Sequence, residues 1–271
     1  MRILLIGDTR RREFREAGRI ASAWGEVFEA PDVASARAAL ADAERDFDWI
    51  VLATSYPGQY SEEQIDSLRR LAPLSRVVAL LGSWCEGEVR SGRPVAGVIR
   101  VYWHQWEQRL GWEAARWSRG ARSTWALPIT ATEEERVLAL AGDPLVPRSG
   151  LIAVCSEEFA CGEWLCASCR KAGYAAQWFR PADPPPDAKF TVGIFDAGEE
   201  RGRYDDLRRF ATALRPAPVA ALIAFPRIED REQALAAGAM SVLSKPLWME
   251  DLLWEIDRLA TDSSPHSRLT P

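Results

Sequence analysis

Hydrophobic positions follow two alternating patterns along this chain. Short unbroken apolar runs read as buried strands. Between them, apolar residues recur every three to four positions, as on one face of a helix. In the first half, residues 1–8 read as a strand. Residues 10–23 read as a helix with Phe14, Ala17, Ile20 and Ala21 on one face, stopped at Gly25. Val27–Glu29 is a short strand, Val33–Ala43 an Ala-rich helix and Trp49–Ala53 a strand. Glu62–Leu71 is a helix, and Arg76–Leu81 and Gly97–Tyr102 are the fourth and fifth strands. The second half repeats the order. Leu151–Val154, Ala176–Phe179, Phe190–Phe195, Val219–Phe225 and Ser241–Leu243 read as strands. Gly162–Lys171, Leu207–Leu214, Arg231–Ala237 and Met249–Ala260 read as helices. Strands this apolar are buried on both faces, which requires helices on both sides of a parallel sheet. The expected fold is α/β: two flavodoxin-like, doubly wound parallel sheets of five strands each.

The stretch between the halves fits neither pattern. Trp103, Trp106, Leu110, Ala114 and Trp117 recur at three- and four-residue steps, so 103–120 reads as an extended last helix with an aromatic face. Thr132–Glu135 is a capping box opening a short helix to Leu140, and Gly142, Pro144 and Pro147 end it. The expected organisation is a first domain over 1–120, a linker over 121–149, a second domain over 150–262 and a disordered tail over 263–271. Half of the 12 tryptophans fall between Trp84 and Trp125. Two readings stay open: they pack the seam and the linker, or Trp84, Trp103, His104 and Trp106 build an exposed partner-binding patch, Trp being enriched at binding hot spots.

Composition narrows the field. Of 271 residues, 47% are hydrophobic and 27% charged, which are globular values. No apolar run approaches the ~20 residues that span a bilayer, so no membrane segment is expected. The first strand follows Met1 without the apolar core of a signal peptide, so the expected location is the cytoplasm. The net charge is −5. The first 120 residues are balanced and the last 122 carry an acidic excess, which disfavours nucleic acid as a partner.

The second half resembles the receiver domain of bacterial two-component response regulators. The stretch that carries the likeness is Ala236-Ala-Gly-Ala-Met-Ser-Val-Leu-Ser-Lys-Pro-Leu247, with an AGA turn, a short strand and Lys245-Pro246. Asp196 ends the third strand, where receivers keep the phospho-accepting aspartate, and Ser156-Glu157-Glu158 follows the first strand, where they keep an acidic pair. The likeness covers about residues 150–260. It implies phosphoryl chemistry at Asp196, a phosphate contact from Lys245, and Mg²⁺ held by Asp196 and Glu157, since Mg²⁺ needs only one or two carboxylates beside phosphate. Two departures thin this site. The acidic pair falls on Ser156 and Glu157, so one carboxylate is missing or displaced to Glu158, and the position of the phosphate-binding hydroxyl falls on Ile223 or Ala224. The first half resembles a more degraded receiver. Gly7-Asp8 stands at the acidic pair, Ala53 at the phospho-acceptor, Ser83 offers a lone hydroxyl and the fifth strand lacks Lys-Pro.

What the resemblance implies is therefore a tandem receiver-like signalling adaptor or regulator with no enzymatic activity. It acts by contact with a protein partner, a histidine kinase or a downstream regulator, and is compatible with a homo-oligomer. The alternative is a phosphorelay response regulator phosphorylated on Asp196. A third reading comes from the cysteines. Cys161, Cys166 and Cys169 have the spacing of plant-type iron–sulfur ligands, but no fourth cysteine follows. On a helix, Cys161, Leu165 and Cys169 share one face instead, and with Cys155 they read as core packing. Of the two histidines, His104 sits among aromatics and His266 in the tail, too few for a triad. No glycine-rich nucleotide motif occurs.

Overall fold

The computed structural model describes residues 1–41, 46–87, 95–121, 123–127, 132, 134–135, 148–183, 185, 188–198 and 202–262. The chain forms two compact units, Met1–Asp143 and Pro144–Pro271. The first contains β1 (Arg2–Ile6), α1 (Ala17–Ser22), β2 (Glu26–Ala30), α2 (Val33–Leu40), β3 (Trp49–Thr54), α3 (Glu62–Leu71), β4 (Arg76–Leu81), β5 (Ile99–Tyr102) and α4 (Trp106–Ser118). Its sheet runs β2-β1-β3-β4-β5, all parallel. The second contains β6 (Leu151–Cys155), α5 (Phe159–Lys171), β7 (Ala175–Phe179), β8 (Val192–Asp196), α6 (Arg203–Ala213), β9 (Val219–Ala224), α7 (Ile228–Ala236), β10 (Ser241–Lys245) and α8 (Met249–Asp262). Its sheet runs β10-β9-β8-β6-β7, the same order met from the other edge. Both sheets thus have the flavodoxin-like order, in which the first and third strands lie side by side and the chain leaves them in opposite directions.

The central strands explain the unbroken apolar runs. Every residue of β3 and of β8 is buried. In the second unit Phe195, Leu207, Phe210 and Leu214 pack one face of the sheet. Leu165, Cys166, Cys169, Leu252 and Ile256 pack the other. Helix starts follow their caps: Asp32 accepts from the Ser35 N–H at 2.8 Å, and Ser61 with Gln64 forms a reciprocal capping box. The predicted helix over 10–23 is shorter than its pattern. Phe14 and Ala17 donate to carbonyls three residues back, so the chain turns before the α-ladder begins at Ala17.

The stretch expected to be linker begins as part of the first unit. The Ser123 hydroxyl donates to Glu113 at 2.5 Å, Thr124 donates to the other oxygen of that carboxylate, and the Trp125 ring lies 4.7 Å from Trp49. Glu113 is fully buried. Burial pushes its carboxyl up, against the two hydroxyls and Arg116. The Thr132–Glu135 capping bonds are present. The helix expected to run on to Leu140, and the tail with His266, lie outside the described residues. No helix among the described residues is long and apolar enough to cross a membrane.

Candidate functional site

Strand register places equivalent residues of the two units without ambiguity. Ile6 pairs with Leu52 and Cys155 with Phe195, so Gly7 corresponds to Ser156 and Ala53 to Asp196. Leu81 pairs with Tyr102 and Ile223 with Ser244, so Lys245 corresponds to Trp103. All these positions lie at the carboxyl ends of the strands, beside the crevice where open parallel sheets bind their ligands.

In the second unit, Asp196 and Lys245 meet there. The Lys245 ammonium donates to Asp196 Oδ1 at 2.5 Å, across 49 residues of sequence. The Ser156 hydroxyl lies 3.1 Å from Asp196 Oδ2 and 3.1 Å from the Glu158 carbonyl, and its single proton serves one at a time. The Cys161 thiol, in the first turn of α5, also donates to this carboxylate. Burial alone would raise the Asp196 carboxyl. The Lys245, Cys161 and Ser156 donors outweigh it and hold the group below its ordinary value. A depressed carboxyl adds stability that is complete above its unfolded value and lost as pH falls through the folded one. The unfolded reference is 3.8. The urea midpoint of the second unit is therefore expected to fall more steeply in the wild-type chain than in Asp196→Asn as pH drops from 6 to 3. Parallel falls in the two chains would show that the carboxylate is not held in this way.

Glu157 does not join this cluster. Strand alternation turns Ser156 toward Asp196, and Glu157, one residue on, is exposed. Glu158 is exposed too and opens α5. The site implied for Mg²⁺ by Asp196 and Glu157 thus has one carboxylate, already engaged by an ammonium and two weaker donors. Among the described residues, no three His, Cys, Asp or Glu side chains gather as a metal would need. The donor set does not fit Mg²⁺. At the end of the fourth strand, where the resemblance implies a phosphate-binding hydroxyl, stand Ile223, which is buried, and Ala224, which pairs in register with Lys245.

The first unit's crevice is filled by its own side chains. The Tyr60 hydroxyl lies 3.3 Å from the Ile6 carbonyl and 3.2 Å from the Ala53 carbonyl, and burial pushes it up to about 12. Gln59 closes the same end, accepting from the Ser55 N–H at 2.6 Å. Gly7 admits this plug. It has φ +119°, and a Cβ there would stand 2.5 Å from the Tyr60 oxygen. Ala53 offers no oxygen, and Trp103 replaces the lysine.

The aromatic patch proves to be mostly core. Trp103, His104 and Trp106 are buried, at 7%, 7% and 2% exposure, while Trp84 is 77% exposed. Trp106 donates its indole N–H to the Ala17 carbonyl at 3.2 Å, which ties α4 to α1. Of the four residues expected to face a partner, Trp84 alone is available. Two site residues escaped the sequence. Tyr60 meets Ile6 only after 54 residues of chain. Cys161 shares a helical face with core cysteines but lies half-buried at the crevice. Burial pushes the Cys161 thiol up to about 11, and those of Cys155 and Cys169 to about 12. Cys166 and Cys169 are spent on the core.

Solved structures similar to this chain include three receiver-sized chains. They are the receiver domain of Francisella response regulator 1452 (15% identity, 42% of this chain and 99% of that one, TM-score 0.37), the chemotaxis response regulator CheY4 of Vibrio cholerae (20% identity, 41% and 99%, TM-score 0.35), and a putative pilus assembly protein of Burkholderia thailandensis (20% identity, 41% and 98%, TM-score 0.37). No family model and no curated protein matches the sequence.

Proposed function

We propose that this chain is a receiver-like regulator of two-component type that signals by protein contact, without phosphorylation in either unit and without enzymatic activity. The observation that supports it is the state of the two crevices. One holds Asp196 closed against Lys245 with Ser156 in place of a metal-binding acid. The other holds Tyr60 over Ala53. Phosphoryl transfer to a carboxylate needs its developing charge clamped; the first crevice has neither acceptor nor lysine, and in the second Lys245 is already bound to Asp196, the one carboxylate left to hold a metal. What remains is a scaffold whose exposed loops, Trp84 foremost, are positioned for a partner such as a kinase or a downstream regulator.

The test is to titrate the full chain with Mg²⁺ and beryllofluoride, a phosphoryl mimic, while recording amide spectra. The expected result is no change at residues flanking Asp196. Saturable shifts that vanish in Asp196→Asn would instead make Asp196 a working phospho-acceptor, the reading favoured by its contact with Lys245.

A further inference from the structure

In the second unit's sheet β8 is the central strand. β6 and β9 lie one strand away on either side, and β7 and β10 lie two away. The chain leaving the carboxyl ends of these four strands carries aromatic and charged side chains. After β6 come Glu157, Glu158 and Phe159, and after β9 come Phe225 and Arg227, all exposed. After β7 comes Arg180, exposed, with its guanidinium 5.6 Å from the Trp178 ring. After β10 come Trp248 and, in the first turn of α8, the half-buried Glu250.

Three large rings at one end of a small unit are more apolar surface than solvent exposure favours: Phe159 is 61%, Phe225 57% and Trp248 55% exposed. Phe225 is also held at φ +42°, in the left-handed region, a costly setting for a bulky side chain. Its N–H donates to the Lys245 carbonyl at 3.2 Å, so the strand ends themselves hold it there. Strain kept at an exposed aromatic marks a position that is used.

The charges say by what. One strand from β8, the β6 side carries two acids and the β9 side an arginine. Two strands from β8, the β7 side carries Arg180 and the β10 side Glu250. Among the described residues, none of these five groups has an ion pair. The sign of charge thus reverses across β8 at both distances. A half-turn about the sheet normal, through the end of β8, reverses strand direction and exchanges the two sides. We propose that two copies of this chain close on each other in this way, second unit to second unit, mouth to mouth. Glu157 and Glu158 of one copy then meet Arg227 of the other, Arg180 meets Glu250, and Phe159 meets Phe225. Every contact occurs twice, as a two-fold interface requires. At the axis the Asp196 carboxylate is already neutralised by Lys245, so two such mouths do not repel.

This pattern favours a second copy over a foreign partner. An acidic or a basic surface that suited one side of β8 would be repelled on the other. Five strands at about 4.8 Å make a mouth roughly 19 Å wide, which places the dimer at the small end of specific interfaces. Its dissociation constant is therefore expected on the order of micromolar. The dimer does not rest on the signalling role proposed above, and either can fail alone.

The test is sedimentation of the full chain between about 1 and 200 μM, the range that brackets such a constant. The wild-type chain is expected to pass from monomer to dimer. Arg227→Glu, and separately Glu157→Arg with Glu158→Arg, should each weaken the dimer at least about tenfold, since like charges then meet at the rim. Both variants should keep the wild-type unfolding midpoint when dilute. An equal mixture of the two should dimerise again, because acid meets base at both contacts only in the mixed pair. A wild-type chain that stays monomeric overturns the proposal. So does a dimer indifferent to these reversals, or a mixture no more dimeric than its components.

Discussion

Ser156→Asp is expected to make the second unit responsive to Mg²⁺, with no response expected from the wild-type chain. Ser156 is the register neighbour of Asp196, and its hydroxyl already lies 3.1 Å from that carboxylate. An aspartate there puts two carboxylates together, with one ammonium, Lys245, to compensate both. Without divalent cations, crowding a second negative charge into a buried site is expected to cost about 3 kcal/mol. A pair of carboxylates at the carboxyl edge of a sheet is also a sufficient anchor for Mg²⁺, which keeps its remaining shell as water. At about 100 times its dissociation constant, bound Mg²⁺ returns roughly 2.7 kcal/mol. The measurement is chemical denaturation of both chains with EDTA and with Mg²⁺. The variant should be the weaker without metal and regain most of the loss with it, while the wild-type midpoint stays put. A wild-type chain stabilised by Mg²⁺ as strongly as the variant would mean that the single carboxylate suffices, and the case against phosphorylation would lose its basis.

The parts of this molecule written in the sequence are those that depend on short runs. Trp49–Thr54 and Val192–Asp196 are buried on both faces, so their apolar runs identify them as central strands. The ends of those runs then place Ala53 and Asp196 at equivalent mouths. The contact of Asp196 with Lys245 was legible for the same reason, because two strand ends of one parallel sheet lie at one edge whatever the loop between them. What the pattern could not carry was direction within a loop. Glu157 and Ser156 are adjacent, and only the strand's alternation decides which of them meets Asp196. Tyr60 lies beyond a loop that periodicity leaves undefined, and its landing on the Ile6 and Ala53 carbonyls needs the side-by-side pairing of β1 with β3. Cys161 sits at the helix start, where the face shared with Cys169 has not yet passed under the sheet.

The tryptophans carry the last lesson, and it becomes a sharp contrast between two substitutions. Spacing of three and four residues shows that Trp103, Trp106 and Leu110 share a face, but an apolar face looks the same in sequence whether a partner or the protein's own helix covers it. Here α1 covers it, and Trp106 is 2% exposed with its N–H bonded to Ala17. Trp106→Ala is therefore expected to destabilise the first unit by about 3–5 kcal/mol, the cost of the lost burial and the cavity left behind. Loss of the indole N–H bond to the Ala17 carbonyl adds to it. Trp84→Ala, at 77% exposure, should change stability by no more than about 0.5 kcal/mol. Any partner that binds the first unit should respond in the opposite order. Binding should weaken at least tenfold in Trp84→Ala while its unfolding midpoint is unchanged. Equal losses of stability in the two variants would place Trp84 in the core as well, and the proposal that the loop after β4 is a partner surface would fall.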